Sequence, residues 1–313
     1  MPTRSPTRSR ISAAGPSPAG KWRSPPTEAG APANESFSTS VPRRSPRDRV
    51  SEMAEPRPCR MQSPANQPMH PINNFTVIES ISGRFIVNRH CSYQIDHLAK
   101  TGRPHIQAEL DGLLAIVHTL PDQSVTIDAG ANIGLVCIPI ALTVAPKSGV
   151  VHAVEDQRPL LYALCGTTVL NDLSNLHVHQ LGLGAARSVL ELPPIDYGRP
   201  QDFGSISLVG VPGSGKGDRV QIVTIDSLGM HRLDFLKIDV EGMEIEVLTG
   251  ARLTIESFQP WVWVEYWKTH VDDIKHQFDG LNYRFFVLDQ LNMLCAPAVR
   301  AAGVPIPANA VEV

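Results

Sequence analysis

No run of 18 or more apolar residues occurs in the 313-residue sequence, which excludes a membrane-spanning helix. The opening residues also lack the continuous apolar stretch of a secretory signal. Their Arg- and Ser-rich, acid-poor character resembles a transit peptide, but Pro2, Pro6, Pro16, Pro18, Pro25 and Pro26 spoil an amphipathic helix. Cysteine is scarce. Cys59, Cys91, Cys137, Cys165 and Cys295 are odd in number, widely spaced and form no C-x-x-C, so neither a disulfide framework nor a zinc site is indicated. A reducing, cytoplasmic setting is the expectation.

Acidic residues are also unevenly missing. The first 70 residues hold five of them against eleven Lys and Arg, a net +6, whereas the remainder carries −9. Thirteen of the 27 prolines fall in the same stretch, where aliphatic side chains are too few to offset the entropy of ordering. Residues 1–70 therefore read as a disordered, basic Pro/Arg/Ser-rich tail. Their charges are scattered between prolines without interleaved aromatics, so a solvated tail is favoured over a nucleic-acid-binding arm. What is left, 71–300 with a core at about 105–290, suits one domain by length, followed by a C-terminal tail at 301–313.

What is present beyond residue 72 is alternation. Phe75–Ile78 and Arg84–Asn88 suggest a hairpin or pair of cover strands, and Ile106, Leu110, Leu113, Leu114 and Val117 recur at helical spacing. Strands at Val125–Ala129, Val150–Val154 and Leu176–Leu181 alternate with helices at 133–145 and 158–171, the second opened by Pro159 in its first turn. Leu190–Leu192 reads as a short added strand. A Gly/Pro/Ser-rich stretch at 193–218 reads as a long loop over a functional edge. Val220–Ile225, Phe235–Val240, a helix from about 243, Trp261–Tyr266, a helix at 271–280, Tyr283–Leu288 and Leu291–Cys295 complete the chain. Such alternation implies right-handed βαβ units and a mostly parallel sheet. Only Asp289–Gln290 separate the last two strands, so these form an antiparallel hairpin at the edge. The expected fold is α/β, Rossmann-like, with seven mostly parallel strands. Pro139 lies inside the 133–145 helix and is expected to kink it.

Three motifs carry chemistry. Thr126-Ile-Asp-Ala-Gly-Ala-Asn-Ile-Gly134 runs a strand through a glycine turn into a helix, whose amides suit an anionic group. A nicotinamide fingerprint wants glycine where Asn132 stands, and Asp128 suits a cationic amino group better than a phosphate. A ligand-free strand–helix turn is the alternative. His152-Ala-Val-Glu155 ends the second strand in an acid placed for ribose hydroxyls, with Asp156 beside it, though a surface acid at a strand end is common. After the third strand, Gly182-Leu-Gly184 offers only backbone and small side chains to an adenine. In Asp234-Phe-Leu-Lys-Ile-Asp-Val-Glu-Gly242, the strand alternation puts Lys237, Asp239 and Glu241 on one side at the carboxyl edge of the sheet. They read either as a carboxylate base for a hydroxyl proton or as a Lys237–Asp239 or Lys237–Glu241 pair steadying the sheet. Glu265 and His270 are further candidates for the same pocket.

With these residues in hand, the chain resembles the FkbM-type family of S-adenosylmethionine-dependent methyltransferases, of class I fold. The resemblance rests on Ile127-Asp-Ala-Gly-Ala-Asn-Ile-Gly134, Ala153-Val-Glu155, Asn171, Val223-Thr-Ile-Asp-Ser-Leu228 and Leu236-Lys-Ile-Asp-Val-Glu-Gly-Met-Glu-Ile-Glu-Val-Leu-Thr-Gly-Ala251. It implies S-adenosylmethionine as cofactor and methylation, typically at oxygen, of a sugar, lipid or specialised metabolite. Carried over by position, Asp128, Gly130, Asn132 and Gly134 would hold the methionine part and Glu155 the ribose; Ala131, Ile133, Asp156 and Gly182 are the other expected cofactor-binding residues. The family's Phe-Glu-Pro reads Val154-Glu-Asp156-Gln157 here, so the aromatic neighbour for adenine is missing. Trp261 and Trp263, at alternate positions, read as core, while Tyr266 and Trp267 suit an acceptor pocket.

The expected chemistry is in-line methyl transfer to an acceptor oxygen, with Asp239 or Glu241 as base, Lys237 beside them and no metal required. The expected partner is a small-molecule or glycan acceptor, with no nucleic acid and no membrane span. An NAD(P)-binding oxidoreductase, a nucleic-acid methyltransferase using the basic tail and a non-catalytic cofactor-binding module are the rival readings.

Overall fold

The computed structural model describes residues 74–206, 217–301 and 306–313. The basic stretch 1–70 and positions 207–216 of the Gly/Pro/Ser-rich loop lie outside them. In chain order the elements are β1 (Phe75–Ser80), β2 (Gly83–Asn88), α1 (Ser92–Thr101), α2 (Gln107–Val117), β3 (Val125–Ala129), α3 (Cys137–Val144), β4 (Val150–Val154) and α4 (Arg158–Leu170). There follow β5 (Leu176–His179), β6 (Gly182–Leu183), β7 (Ser188–Glu191), β8 (Arg219–Val223), β9 (Phe235–Ile238), α5 (Glu244–Gly250) and α6 (Arg252–Phe258). The chain continues with β10 (Trp261–Glu265), α7 (Val271–His276), β11 (Tyr283–Val287), β12 (Asn292–Pro297), α8 (Ala298–Ala301) and β13 (Val311–Glu312). No helix among the described residues is long and apolar enough to cross a membrane.

The main sheet runs β13-β11-β12-β10-β9-β3-β4-β5. Pairing is parallel from β10 through β5 and antiparallel around β12, which inserts between β10 and β11. The sequence expects this hairpin from the two-residue gap, and the short β13, inside the stretch read as a C-terminal tail, extends it by pairing with β11. Val220–Ile225 does not join this sheet. β8 pairs instead with β6 and β7 in a separate three-stranded sheet, in the place where an alternating fold would insert a helix between β5 and β9.

Apolar residues fill both faces of the main sheet. On one side α3 and α4 pack with Val151, Ala153 and Leu164, and on the other Ile127, Leu236 and Val262 pack with Val247 and Ile255. Trp261 and Trp263 are both core residues, 2% exposed. The β1–β2 hairpin is bolted to α4 through polar side chains: the Ile86 N–H donates to Thr167 Oγ1 (3.0 Å) and the Arg84 N–H to Asn171 Oδ1 (2.9 Å). Asn171 Nδ2 returns a bond to the Arg84 carbonyl at 2.7 Å.

Two expectations about the first crossover need correction. The helix does not start directly after Gly134 but at Cys137, because Gly130, Asn132 and Gly134 all take positive φ (83°, 50° and 98°) and hold the chain in turns. Pro139 then falls in the first turn of α3, where a missing N–H forfeits no intrahelical bond, so no kink is required of it.

Candidate active site

A cavity of about 190 Å³ opens at the carboxyl ends of β3, β4, β9 and β10. This is where an open parallel sheet exposes the ends of its strands to a ligand. Asp128, Gly130, Ala131, Asn132, Glu155, Asp156, Gly182, Lys237, Asp239 and Glu241 all line it. Ile133 and Gly134 do not: Ile133 is 2% exposed in the core, and a Cβ on Gly134 would press on Leu164 at 2.8 Å and Ile138 at 2.9 Å. His270, Tyr266 and Trp267 also lie outside the lining, whereas Glu265 is part of it. Trp267 is exposed, and the Tyr266 hydroxyl donates to the Asp289 carbonyl (2.9 Å).

Gly130 is required by the fold before any ligand arrives. A Cβ there would sit 1.7 Å from the Asp239 carbonyl oxygen, so β3 and β9 can diverge at the cavity floor only past a bare Cα. Gly130→Ala is expected to lose more than about 3 kcal/mol of stability in chemical denaturation, from backbone overlap added to φ strain. Gly102→Ala, which also has positive φ but meets nothing within 4 Å, is the control and is expected to lose only about 1–2 kcal/mol.

Asp128, next to last in β3, is 1% exposed, and neither carboxylate oxygen has a hydrogen-bonded partner among the described N–H and O–H groups. Burial pushes its pKa up to about 6, with Lys237 and the Cys137 thiol opposing and Asp239 and Glu109 adding to the rise. Glu155 is satisfied on one side: the Asn132 N–H donates to Oε2 and the Gln157 N–H to Oε1, both at 2.8 Å. Burial and neighbouring Asp156 hold its pKa well above the ordinary carboxylate range, and burial raises Asp156 to about 6.

The β9 motif resolves into two ion pairs. Lys237 Nζ donates to Asp239 Oδ2 at 2.7 Å, deep in the floor. Glu241 does not share their strand face. β9 ends at Ile238, Glu241 has φ of 58°, and its carboxylate pairs with Lys268. Burial works against the Lys237 charge, but Asp239, Glu109 and Asp128 outweigh it and raise its pKa. Burial likewise works against Asp239, yet Lys237, a hydrogen bond from Glu265 and Lys268 bring its pKa below the ordinary value. Glu265 is its counterpart: burial and the adjacent Asp239 push it to about 9, so it keeps its proton at neutral pH. One oxygen each of Asp239, Glu241 and Glu265 lies within 4.8 Å of the others, with Lys237 and Lys268 supplying the positive charge.

Several lining residues have no place in the motifs. Glu109 of α2 reaches the same cluster, and its pKa is raised by burial against the pull of Lys237. It sits three residues after Ile106 and four before Leu113, so a charge inside the apolar stripe was the available signal. The loop before position 207 supplies Asp202, Gly204, Ser205 and Ile206. Gln157 anchors that loop, donating through Nε2 to the Phe203 carbonyl and accepting from the Tyr197 hydroxyl, both at 2.8 Å. Tyr197 stacks on Phe203 at 4.9 Å, closing the loop over the Asn132 turn.

A family model described as the methyltransferase FkbM domain matches residues 128–289. No curated protein matches the chain significantly. Among solved structures the chain is similar to the methyltransferase FkbM from Methylobacillus flagellatus KT, at 17% identity and a TM-score of 0.41, over 67% of this chain and 55% of that one. It thus spans about half the length of that relative. It is similar also to a SAM-dependent O-methyltransferase from Thermotoga maritima (13% identity, TM-score 0.36, 71% and 77% covered). TYW2 from M. jannaschii in complex with AdoMet matches at 13% identity and a TM-score of 0.37, with 73% and 87% covered. At these scores the three structural likenesses carry no weight for the site.

Proposed function

The chain belongs to the methyltransferase FkbM family, whose cofactor is S-adenosylmethionine, and from that premise we propose that it methylates a hydroxyl oxygen of a sugar, lipid or specialised metabolite. The observation that carries this reading is Asp128: a buried carboxylate to which no described N–H or O–H group donates, facing the cavity beside the glycine turn, calls for a cation. The ammonium and sulfonium of S-adenosylmethionine meet that demand, whereas the pyrophosphate of a nicotinamide cofactor would add negative charge to a floor of acids. Glu155 fits as well, since each carboxylate oxygen accepts one backbone amide and keeps lone-pair capacity for a ribose hydroxyl.

When bound, the cofactor supplies an electrophilic methyl on a good leaving group. The chain's own task is to place the acceptor oxygen in line and to take its proton. Asp239 is ionised, faces the cavity and is fixed by Lys237 and Glu265. A weak base suffices here, because an alcohol oxygen becomes strongly acidic as its bond to carbon forms. In this reading Asp239 accepts that proton, Lys237 positions it and protonated Glu265 keeps a second anion away from the reacting oxygen. Glu241, committed to Lys268, has the smaller role. The −9 charge outside the basic stretch supports a small-molecule or glycan acceptor rather than nucleic acid.

The test is titration with S-adenosylhomocysteine followed by an acceptor screen, in wild type and in Asp239→Asn, Glu241→Gln and Glu265→Gln. Asp239→Asn is expected to lower kcat by about 10²–10⁴ while cofactor affinity changes only a few-fold. Wild-type kcat is expected to fall above about pH 9 as Glu265 loses its proton, a limb that Glu265→Gln removes. Wild-type turnover in both Asp239→Asn and Glu241→Gln, with normal cofactor binding, would refute the assignment of the base.

A further inference from the structure

A second cluster of chemistry-bearing side chains lies on the edge of the main sheet, outside the cavity. His177 and His179 alternate along β5, so both point to one face, and the parallel register places His152 of β4 directly opposite His177. The intervening Val178 and the flanking Val151 and Ala153 pack into the core on the other face. His152 Nδ1 and His179 Nε2 are 3.0 Å apart, and the His152 ring lies 5.3 Å from each of the other two rings, at 25° to His177 and 28° to His179. A His-x-His on one strand with a third histidine across the ladder sets three stacked imidazoles side by side on a rigid scaffold, two of them sharing a hydrogen bond.

We propose that His152, His177 and His179 form a binding site for a borderline divalent transition metal such as zinc. Two imidazole nitrogens bound at about 2.0–2.1 Å to a tetrahedral ion stand roughly 3.3 Å apart, close to the separation already set between His152 and His179. His177 is exposed on the edge strand, free to turn its ring toward the same point and leaving the fourth position open to water. Imidazole nitrogens without carboxylates favour zinc or copper over magnesium or calcium. Neutral rings are needed, and burial with the neighbouring histidines lowers His152 to about 4, while burial and His177 lower His179. None of the three lines the cavity, but Leu181 and Gly182, just beyond His179, do. A bound ion would tie the edge strand to β4 where the chain enters the cavity wall.

The full-length protein, stripped with a chelator and dialysed, is titrated with zinc chloride by calorimetry and with cobalt(II) by visible absorption. One zinc per chain is expected, with affinity weakened at least tenfold in His152→Gln, His177→Gln and His179→Gln and unchanged in Glu265→Gln. His177→Gln carries most weight because its exposed ring contributes little to folding. S-adenosylhomocysteine binding and circular dichroism verify that the other two variants are folded. A wild-type chain that binds no zinc, or a His177→Gln isotherm that superimposes on wild type, overturns the proposal. So does a zinc signal abolished by Glu265→Gln, which would place the ion among the acids of the cavity.

Discussion

Lys237→Met is expected to lose about 3–5 kcal/mol of stability, read as a lowered midpoint in urea with the slope unchanged. The side chain is 3% exposed and lies among Asp239, Glu109 and Asp128, all of which raise its pKa. Methionine matches the stem in volume, so packing is kept and the loss isolates the charge. Without the lysine, carboxylates that it now keeps easier to ionise must either stay charged without a partner or bind protons. Their folded pKa values would then exceed the unfolded ones, so the variant's stability rises as pH falls. The gap to wild type is therefore expected to narrow between pH 8 and pH 5. Lys237→Met/Asp239→Asn is expected to recover part of the loss at pH 8, since it removes the anion that the lysine neutralises directly. A gap that is flat across this pH range, or a double variant no better than the single one, would mean that packing and not charge holds the floor together.

The same floor shows what was legible in the residues. Alternating apolar runs announced the parallel strands, and the two-residue gap at Asp289–Gln290 announced the β11–β12 hairpin, because such patterns reflect burial that every strand must satisfy. Asp128, Lys237 and Asp239 were legible because charges at the carboxyl ends of buried strands have no purely apolar explanation. Glu241 was misplaced because strand alternation was carried past Ile238, where a positive φ at Glu241 turns the chain toward Lys268. The late start of α3 is not legible because the positive φ of Gly130, Asn132 and Gly134, at alternate positions, depends on tertiary contacts, among them the Glu155 carboxylate that captures the Asn132 amide. Glu109 interrupts the apolar stripe of its helix, a signal that a charge is buried there, but the spacing says nothing of which cluster it reaches. The Gln157 anchor joins positions 40 and 46 residues away, a pairing no local pattern encodes.

Asp128→Asn is expected to weaken S-adenosylmethionine binding by about 100-fold while leaving the ligand-free protein at least as stable as wild type. The two effects have one cause. In the ligand-free chain the carboxylate is buried with no described N–H or O–H group donating to it, and its folded pKa of about 6 stands above the unfolded value of 3.8. A raised acid pKa means the folded state binds the proton more tightly, so wild type loses stability as pH rises from about 4 through 6. The loss is about 3 kcal/mol by pH 8. Asparagine carries no such penalty, so the ligand-free variant should gain on wild type in thermal melts as pH rises from 4 to 8. Binding runs the other way: a cationic ligand favours the ionised carboxylate, so wild-type affinity should climb with pH through about 6, whereas the variant's should not. A structural aspartate would show destabilisation in the variant and pH-independent ligand binding in both proteins. A ligand-free variant that melts earlier at pH 8 while binding the cofactor as well as wild type would therefore remove Asp128 from the cofactor site, and with it the main support for the proposed reaction.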